Sequence, residues 1–218
     1  MINADTLSFL ADLAANNHKE WFDANRSRYQ LAKDNVLALV GSTLAELGPA
    51  EGWPLVDPKQ CIFRQNRDVR FSKDKRPYKT NMAFIAGPNG MKGDVLSGIY
   101  VHLEPGQSFL GMGLYEPSGD ELKKVRQEID FNLDKWTGIA QAPGFVAAFG
   151  GVTGDKLKTA PKGYKADHPA IEWLRHTQYL AIQKLTDSQL QQKSLPKTIA
   201  AAFTAAAPFR QFLLEALA

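Results

Sequence analysis

The 218-residue chain contains only one cysteine, Cys61, and four histidines. A single cysteine excludes an intramolecular disulfide and a multi-cysteine zinc site, and it is weak support for a cysteine–histidine catalytic pair. The simplest interpretation of Cys61 is a small buried hydrophobic residue. The sequence also lacks the Gly-x-Ser-x-Gly turn that presents the nucleophile of many serine hydrolases. It therefore names no catalytic nucleophile.

Long hydrophobic runs are also missing, since no stretch approaches the roughly 18 uninterrupted apolar residues of a membrane helix. The first residues, MINADTLSF, lack the basic region and the apolar run of a signal peptide. We therefore expect a cytoplasmic protein with no membrane partner. Because 44% of the residues are hydrophobic and no repeat or linker interrupts the chain, residues 1–218 are predicted to form a single domain.

The first third of the chain has the apolar periodicity of helices. Thr6 is predicted to cap a short first helix. Asn17 has Glu20 three residues later, which is the spacing of a capping box, so a long second helix is predicted to begin there. Gly48 and Pro49 are predicted to end that helix.

From residue 53 to residue 115, short apolar runs alternate with glycine and proline turns, a pattern typical of β-strands. Strands are predicted at 62–71, 82–86, 96–103 and 108–115, with one more at 179–185. Later helices are predicted from a capping box at Ser118 and Glu121, and at 133–136, 143–149, 169–177 and 196–217, with a break at Pro208. The predicted fold class is α+β, with N-terminal and C-terminal helices packed on one mainly antiparallel sheet.

Positive charge is concentrated in one segment, from Arg64 to Thr80. This segment contains seven basic and two acidic residues, a net charge of +5, whereas the whole chain carries +3 and its remainder therefore −2. Such a distribution favours a discrete anion site over a broad basic surface. If the segment begins as a strand, alternation places Asn66, Asp68 and Arg70 on the same face as Arg64.

The side chains of this segment suit an acidic ligand. Arginine binds phosphate or carboxylate groups through two parallel hydrogen bonds, and a neighbouring carboxylate can orient it. We therefore predict a site for a phosphorylated or carboxylated small molecule, and any catalysis there would rest on positioning and charge stabilisation. The candidate ligand-binding residues are all charged or polar: Arg64, Asn66, Arg67, Asp68, Arg70, Asp74, Lys75, Tyr78 and Lys79.

Two other interpretations of the segment stay open. In one, Arg67 or Arg70 pairs with an internal carboxylate such as Asp68 or Asp74, and the segment is the ion-pair hub of a non-catalytic structural or interaction domain. In the other, the segment binds nucleic acid, although proteins that bind DNA mainly through its phosphates more often spread their basic residues along a face or a helix.

A metal site is a weaker alternative elsewhere in the chain. His102 and Glu104 alternate on a predicted strand and could share a face, with His168 or Asp94 as a further ligand. Their spacing matches no established metal-binding pattern, so no metal site is predicted. The sequence indicates no cofactor and no particular oligomeric state.

The segment RQNRDVRFSKDKRPYKT resembles the hallmark of a bacterial family catalogued as domain of unknown function 2461, which is R-x-x-R-D-x-R-F followed by D-K-x-P-Y. The matching residues are Arg64, Arg67, Asp68, Arg70, Phe71, Asp74, Lys75, Pro77 and Tyr78. Segments 20–22, 108–117 and 167–175 also resemble the family, so the similarity extends over most of the chain. It implies a family-wide role for the charged segment, but no established activity, cofactor, substrate or catalytic residue.

Overall fold

The computed structural model of the chain describes residues 1–93 and 95–218. Within these residues there are ten α-helices and one four-stranded antiparallel sheet, which confirms the predicted α+β class. The strands follow one another across the sheet in chain order: β1 (Met82–Ala86), β2 (Ile99–Leu103), β3 (Phe109–Leu114) and β4 (Tyr179–Lys184).

The helices are short except for the third. In chain order they are α1 (Ala4–Ala15), α2 (Lys19–Ala24), α3 (Arg26–Glu51), α4 (Gly119–Phe131), α5 (Leu133–Ala140), α6 (Pro143–Phe149), α7 (Ile171–Leu174), α8 (Asp187–Leu190), α9 (Leu195–Ala205) and α10 (Ala207–Leu217). Among the described residues, no helix is both long enough and apolar enough to cross a membrane.

The chain forms two compact units. The first unit comprises Met1–Leu110 and Lys184–Ala201, and the second comprises Gly111–Gln183 and Ala202–Ala218. The assignment of residues 1–218 to a single domain stays a prediction.

In the first unit, α1 packs against α3 through buried apolar side chains, including Leu10 of α1 and Val36 of α3. The predicted N-cap of α1 is wrong, because Asn3 and not Thr6 precedes its first turn. The Thr6 hydroxyl instead donates a hydrogen bond to Asn35 Oδ1 at 2.9 Å, and the Asn3 backbone N–H donates to the same oxygen at 2.8 Å. Asn35 therefore ties the start of α1 to α3.

The predicted second helix is two helices, α2 and α3, which meet at Asn25. The cap of α2 is His18 and not Asn17, whose side chain contacts a distant segment described below. The predicted end at Gly48 and Pro49 is also wrong. Pro49 lies inside the last turn of α3, and the helix ends at Gly52, which adopts a left-handed φ of 66°.

The predicted strand at 62–71 is the main error in the sheet. Residues 62–67 pair irregularly with residues 77–84, through isolated bridges from Ile62 to Phe84 and from Asn66 to Tyr78. Between these bridges the buried side chain of Gln65 adds to the backbone hydrogen bonds, donating to the backbone oxygens of Lys79 at 2.6 Å and Asn81 at 3.1 Å. The residues from 68 to 76 form a loop.

Most other predicted elements are confirmed to within a few residues. The strand at 82–86 and the helix at 143–149 have the predicted bounds, and Ser118 and Glu121 form the predicted capping box of α4. The C-terminal helix is broken as predicted, but the break falls at Ala206 and Pro208 lies in the first turn of α10. Proline suits that position because its missing N–H has no helical partner there.

The second unit has a core built around the buried ring of Trp136. Tyr179 and Trp173 approach it edge-on at 5.7 and 5.9 Å between ring centroids, and Phe212 lies at 5.0 Å. Gly113 of β3 has a φ of 119°, and a Cβ atom there would lie 2.1 Å from the Tyr179 backbone oxygen. Only glycine therefore allows this close approach of the two strands.

Candidate functional site

The backbone around residue 78 is fixed by the side chain of Asn17. Its amide Nδ2 donates to the Tyr78 backbone oxygen, and the Tyr78 N–H donates to Asn17 Oδ1, both at 3.0 Å. The Tyr78 ring is buried and stacks on Phe22, with 4.0 Å between ring centroids. Tyr78, one of the predicted ligand-binding residues, thus lies in the core and holds its neighbour Lys79 in place.

The buried Gln65 joins the two segments that carry most of the predicted site. Besides its two side-chain hydrogen bonds, its backbone oxygen accepts the Lys79 N–H at 2.9 Å. Arg64 and Asn66 flank it on one segment, and Lys79 and Asn81 lie on the other. Gln65 therefore fixes the spacing between two pairs of polar side chains.

A surface cleft of about 420 Å³ is present at this place. Five of its lining residues belong to the predicted site, whereas Asn81 and Tyr100 were not predicted. The lining residues are Arg64, Asn66, Arg67, Asp68, Lys79, Asn81 and Tyr100. Alternation along the chain from Lys79 would have suggested Asn81. Tyr100 comes from β2, and no local sequence pattern indicates that it lines the cleft.

The 68–76 loop is held by ion pairs. Arg67 and Arg76 both pair with Asp74 at 2.8 Å, and Arg67 also donates to the Arg76 backbone oxygen at 3.0 Å. Arg70 is largely exposed and pairs with Asp68 at 2.6 Å. The structure thus shows the internal pairs of the ion-pair interpretation for Arg67 and Arg70.

These arginines shift the titration of both loop carboxylates. Hydrogen bonds from Arg76, and then the hydrogen bond and charge of Arg67, hold the pKa of Asp74 well below its usual range. Hydrogen bonds from Arg70, together with the charge of Arg64, lower the pKa of Asp68. Lys75, another predicted ligand-binding residue, is exposed and donates to the Val69 backbone oxygen at 3.0 Å.

Arg64 and Lys79 differ from the loop arginines. Within residues 1–93 and 95–218, no carboxylate forms an ion pair with either side chain. Lys79 Nζ lies 5.1 Å from the centroid of the Phe63 ring. Burial lowers the pKa of Lys79, and the charge of Arg64 lowers it further. The cleft therefore holds two cations that form no ion pair with a described carboxylate, although the charge of Asp68, another lining residue, interacts with that of Arg64.

A chain of polar side chains runs along β2 from the cleft. The Tyr100 hydroxyl lies 2.9 Å from His102 Nδ1, and His102 Nε2 lies 3.1 Å from Glu104 Oε2. Thr80 donates to the other oxygen of Glu104 at 2.6 Å. Burial raises the pKa of Glu104, but the hydrogen bonds from Thr80 and His102 hold it below its usual range.

This contact confirms that His102 of β2 and Glu104, which follows the end of the strand, share a face. The third ligand considered for a metal, His168, pairs instead with Asp130 at 3.0 Å, and Asp94 lies outside the described residues. No group of three or more His, Cys, Asp or Glu side chains in the described part of the chain is arranged to hold a metal ion.

Comparison with known protein families identifies the family of the chain. A family described as "Conserved hypothetical protein (DUF2461)" matches residues 5–212 of the 218. The chain belongs to this family, as the charged motif indicated. The description names no activity, so the function of the family is unknown. No curated protein and no solved structure matches the chain.

Arg67 forms an ion pair and Arg64 forms none with a described carboxylate, so their substitution should affect stability differently. Arg67→Ala removes an ion pair and a backbone hydrogen bond, so we expect the melting temperature to fall by about 2–4 °C. Arg64→Ala breaks no described pair and should change it by less than about 1 °C. Thermal unfolding followed by circular dichroism checks both values, and a larger loss for Arg64→Ala than for Arg67→Ala would contradict the assignment.

Proposed function

We propose that the cleft binds a phosphorylated or carboxylated small molecule, with Arg64 and Lys79 as its two cationic contacts. One observation carries the proposal: both cations line the same cleft and neither has a described carboxylate partner. A volume of about 420 Å³ is in the range of small-molecule sites.

The chemistry of the lining supports an anion over a neutral ligand. The Arg64 guanidinium can donate two parallel hydrogen bonds to one phosphate or carboxylate, and Lys79 can add a point charge. The amides of Asn66 and Asn81 supply donors and acceptors for the uncharged part of the ligand. A bound anion would also offset the electrostatic cost of holding Lys79 charged near Arg64 and away from water.

The ion pairs give the rest of the charged segment a structural part in this proposal. Asp74 pairs with both Arg67 and Arg76, and Asp68 pairs with Arg70, so these two carboxylates offset part of the segment's positive charge. Arg64 and Lys79 lie together in one cleft, which suits a small ligand better than the extended backbone of a nucleic acid. We also propose a cytoplasmic location, supported by a single cysteine that is buried and whose pKa burial raises to about 11.

Sulfate is the simplest probe of this site, since it presents the oxygens and charge of a phosphate. In about hundred-fold excess over its Kd, a specific ligand stabilises a protein by about 2.7 kcal/mol, or about 5–10 °C for a chain of this size. We expect sulfate to raise the melting temperature by more than chloride at equal ionic strength. The variants Arg64→Ala and Lys79→Ala should lose most of that difference.

Lys73→Ala provides the matched control, because Lys73 is an exposed lysine of the 68–76 loop and does not line the cleft. It should keep the full response to sulfate. Sulfate also stabilises proteins non-specifically, and that part of the response should be equal in all four proteins. Equal responses throughout would therefore refute the proposed site.

The lowered pKa of Lys79 predicts how sulfate binding depends on pH. Binding favours the protonated amine, so affinity should fall as the pH rises through the lowered pKa, before the ordinary value of 10.5 is reached. Without ligand the sign is opposite, because the unfolded chain holds this proton more tightly and folding gains stability as the pH rises. Titration calorimetry between about pH 7 and about pH 10 measures the affinity.

Lys79→Arg is the control for this pH dependence, because arginine stays charged over the whole interval. Its sulfate affinity should change much less with pH than that of the parent protein. A parent affinity that is as flat as that of Lys79→Arg would show that the Lys79 proton is not linked to binding.

A further inference from the structure

We propose that Tyr100 is a nucleophile for phosphoryl transfer in the cleft, activated by His102 and positioned through Glu104. The proposal rests on the proposed anion site, because Arg64 and Lys79 would hold the phosphate that Tyr100 attacks. It adds a catalytic activity to the proposed binding of an anion by the cleft.

The contacts along β2 have the order of a nucleophile, a base and a group that orients the base. Tyr100 and His102 alternate on β2, and Glu104 follows two residues later, just after the strand ends at Leu103, so the three side chains lie on one side. The distances of 2.9 Å from Tyr100 Oη to His102 Nδ1 and 3.1 Å from His102 Nε2 to Glu104 Oε2 are both hydrogen bonds. This is the geometry by which a weak hydroxyl nucleophile is activated.

Glu104 determines which nitrogen of His102 is free to take a proton. Its carboxylate accepts hydrogen bonds but cannot donate one, so His102 Nε2 carries the hydrogen and Nδ1 accepts from the Tyr100 hydroxyl. Thr80 fixes the second carboxylate oxygen, and the Glu104 backbone N–H donates to Ser108 Oγ at 2.9 Å. Thr80 and His102 thus hold the two oxygens of the carboxylate.

The surroundings of His102 limit its contact with water. Its side chain is 13% exposed, and its ring stacks on Phe109 with 4.7 Å between centroids. At the other end, Tyr100 lines the cleft, and its ring packs edge-on against Phe63, whose face lies below Lys79 Nζ. Tyr100 therefore connects His102, which has little contact with water, to the cleft that Arg64 and Lys79 line.

The proposed step conserves atoms and charge. Tyr100 Oη forms a bond to the phosphorus of a phosphate ester while the bond from phosphorus to the leaving alcohol oxygen breaks. The phenolic proton passes to His102 Nδ1, and the resulting imidazolium, stabilised by Glu104, returns a proton to the leaving oxygen. Water then attacks the phosphotyrosine, giving its proton to His102, and Tyr100 regains a proton as phosphate leaves.

An anionic sulfonyl fluoride, 4-(fluorosulfonyl)benzoate, tests the nucleophile directly. Its carboxylate suits the cationic cleft, and tyrosine oxygen displaces fluoride from its sulfur to leave a stable label. Mass spectrometry of peptides gives the labelling rate at each tyrosine. Tyr115, which is 61% exposed, is the reference within the same chain. We expect Tyr100 to react at least about tenfold faster than Tyr115, since general-base assistance contributes about 10²- to 10⁴-fold.

His102→Gln and Glu104→Gln test the activation, and two variants guard against the failure of one to fold. Each should slow labelling at Tyr100 at least about tenfold, without changing the Tyr115 rate or the response of the melting temperature to sulfate. If these hydrogen bonds had only a structural role, the two substitutions would not slow labelling at Tyr100 alone. Labelling of Tyr100 no faster than that of Tyr115, or at an unchanged rate in a folded variant, would overturn the proposal.

The outcomes separate this proposal from the one on which it rests. If sulfate stabilises the parent protein through Arg64 and Lys79 but Tyr100 is not labelled preferentially, the anion site stands and the nucleophile is refuted. If sulfate neither stabilises the protein nor protects Tyr100 from the label, the anion site fails, and phosphoryl transfer in this cleft is refuted with it.

Discussion

The buried amide of Gln65 is the contact on which the candidate site depends. By donating to the backbone oxygens of Lys79 and Asn81, it joins two segments whose backbones pair only irregularly. An unsatisfied buried amide would cost about 1–3 kcal/mol, so the hydrogen bonds strongly favour this one arrangement. Asn17 fixes the second segment from its other side. The cleft side chains are therefore carried by a backbone that has little freedom to move apart.

Charged side chains are paired unevenly along the two segments that Gln65 joins and the loop between them. Each carboxylate of the 68–76 loop is engaged by an arginine, and exposed pairs of this kind contribute mainly to the conformation of the loop. Arg64 and Lys79, in contrast, share the cleft with amides and with Tyr100. The ion pairs involve Arg67, Arg70 and Arg76, whereas the proposed anion site depends on Arg64 and Lys79. Hydrogen bonds also join Tyr100, which lines the cleft, to His102 and Glu104, and the proposed phosphoryl transfer would move a proton along them.

Local patterns were sufficient for most of the secondary structure but not for the site. Apolar periodicity and turn residues located four of the five predicted strands, because burial of one face is a property of neighbouring residues. The choice of partner for Asn17 or Gln65 depends on backbone 61 and 14 residues away, which no local pattern encodes. Charge counting likewise located the basic segment but could not tell Arg67, which Asp74 neutralises, from Arg64.

The central claim is that Arg64 and Lys79 form a site for an anion. A crystal structure of the protein in selenate tests it most directly, because selenium scatters anomalously and mimics the sulfur of sulfate. We expect an anomalous peak in the cleft within hydrogen-bonding distance of the Arg64 guanidinium and Lys79 Nζ. Selenate bound only elsewhere, with Arg64 paired to a carboxylate of its own chain, would contradict it.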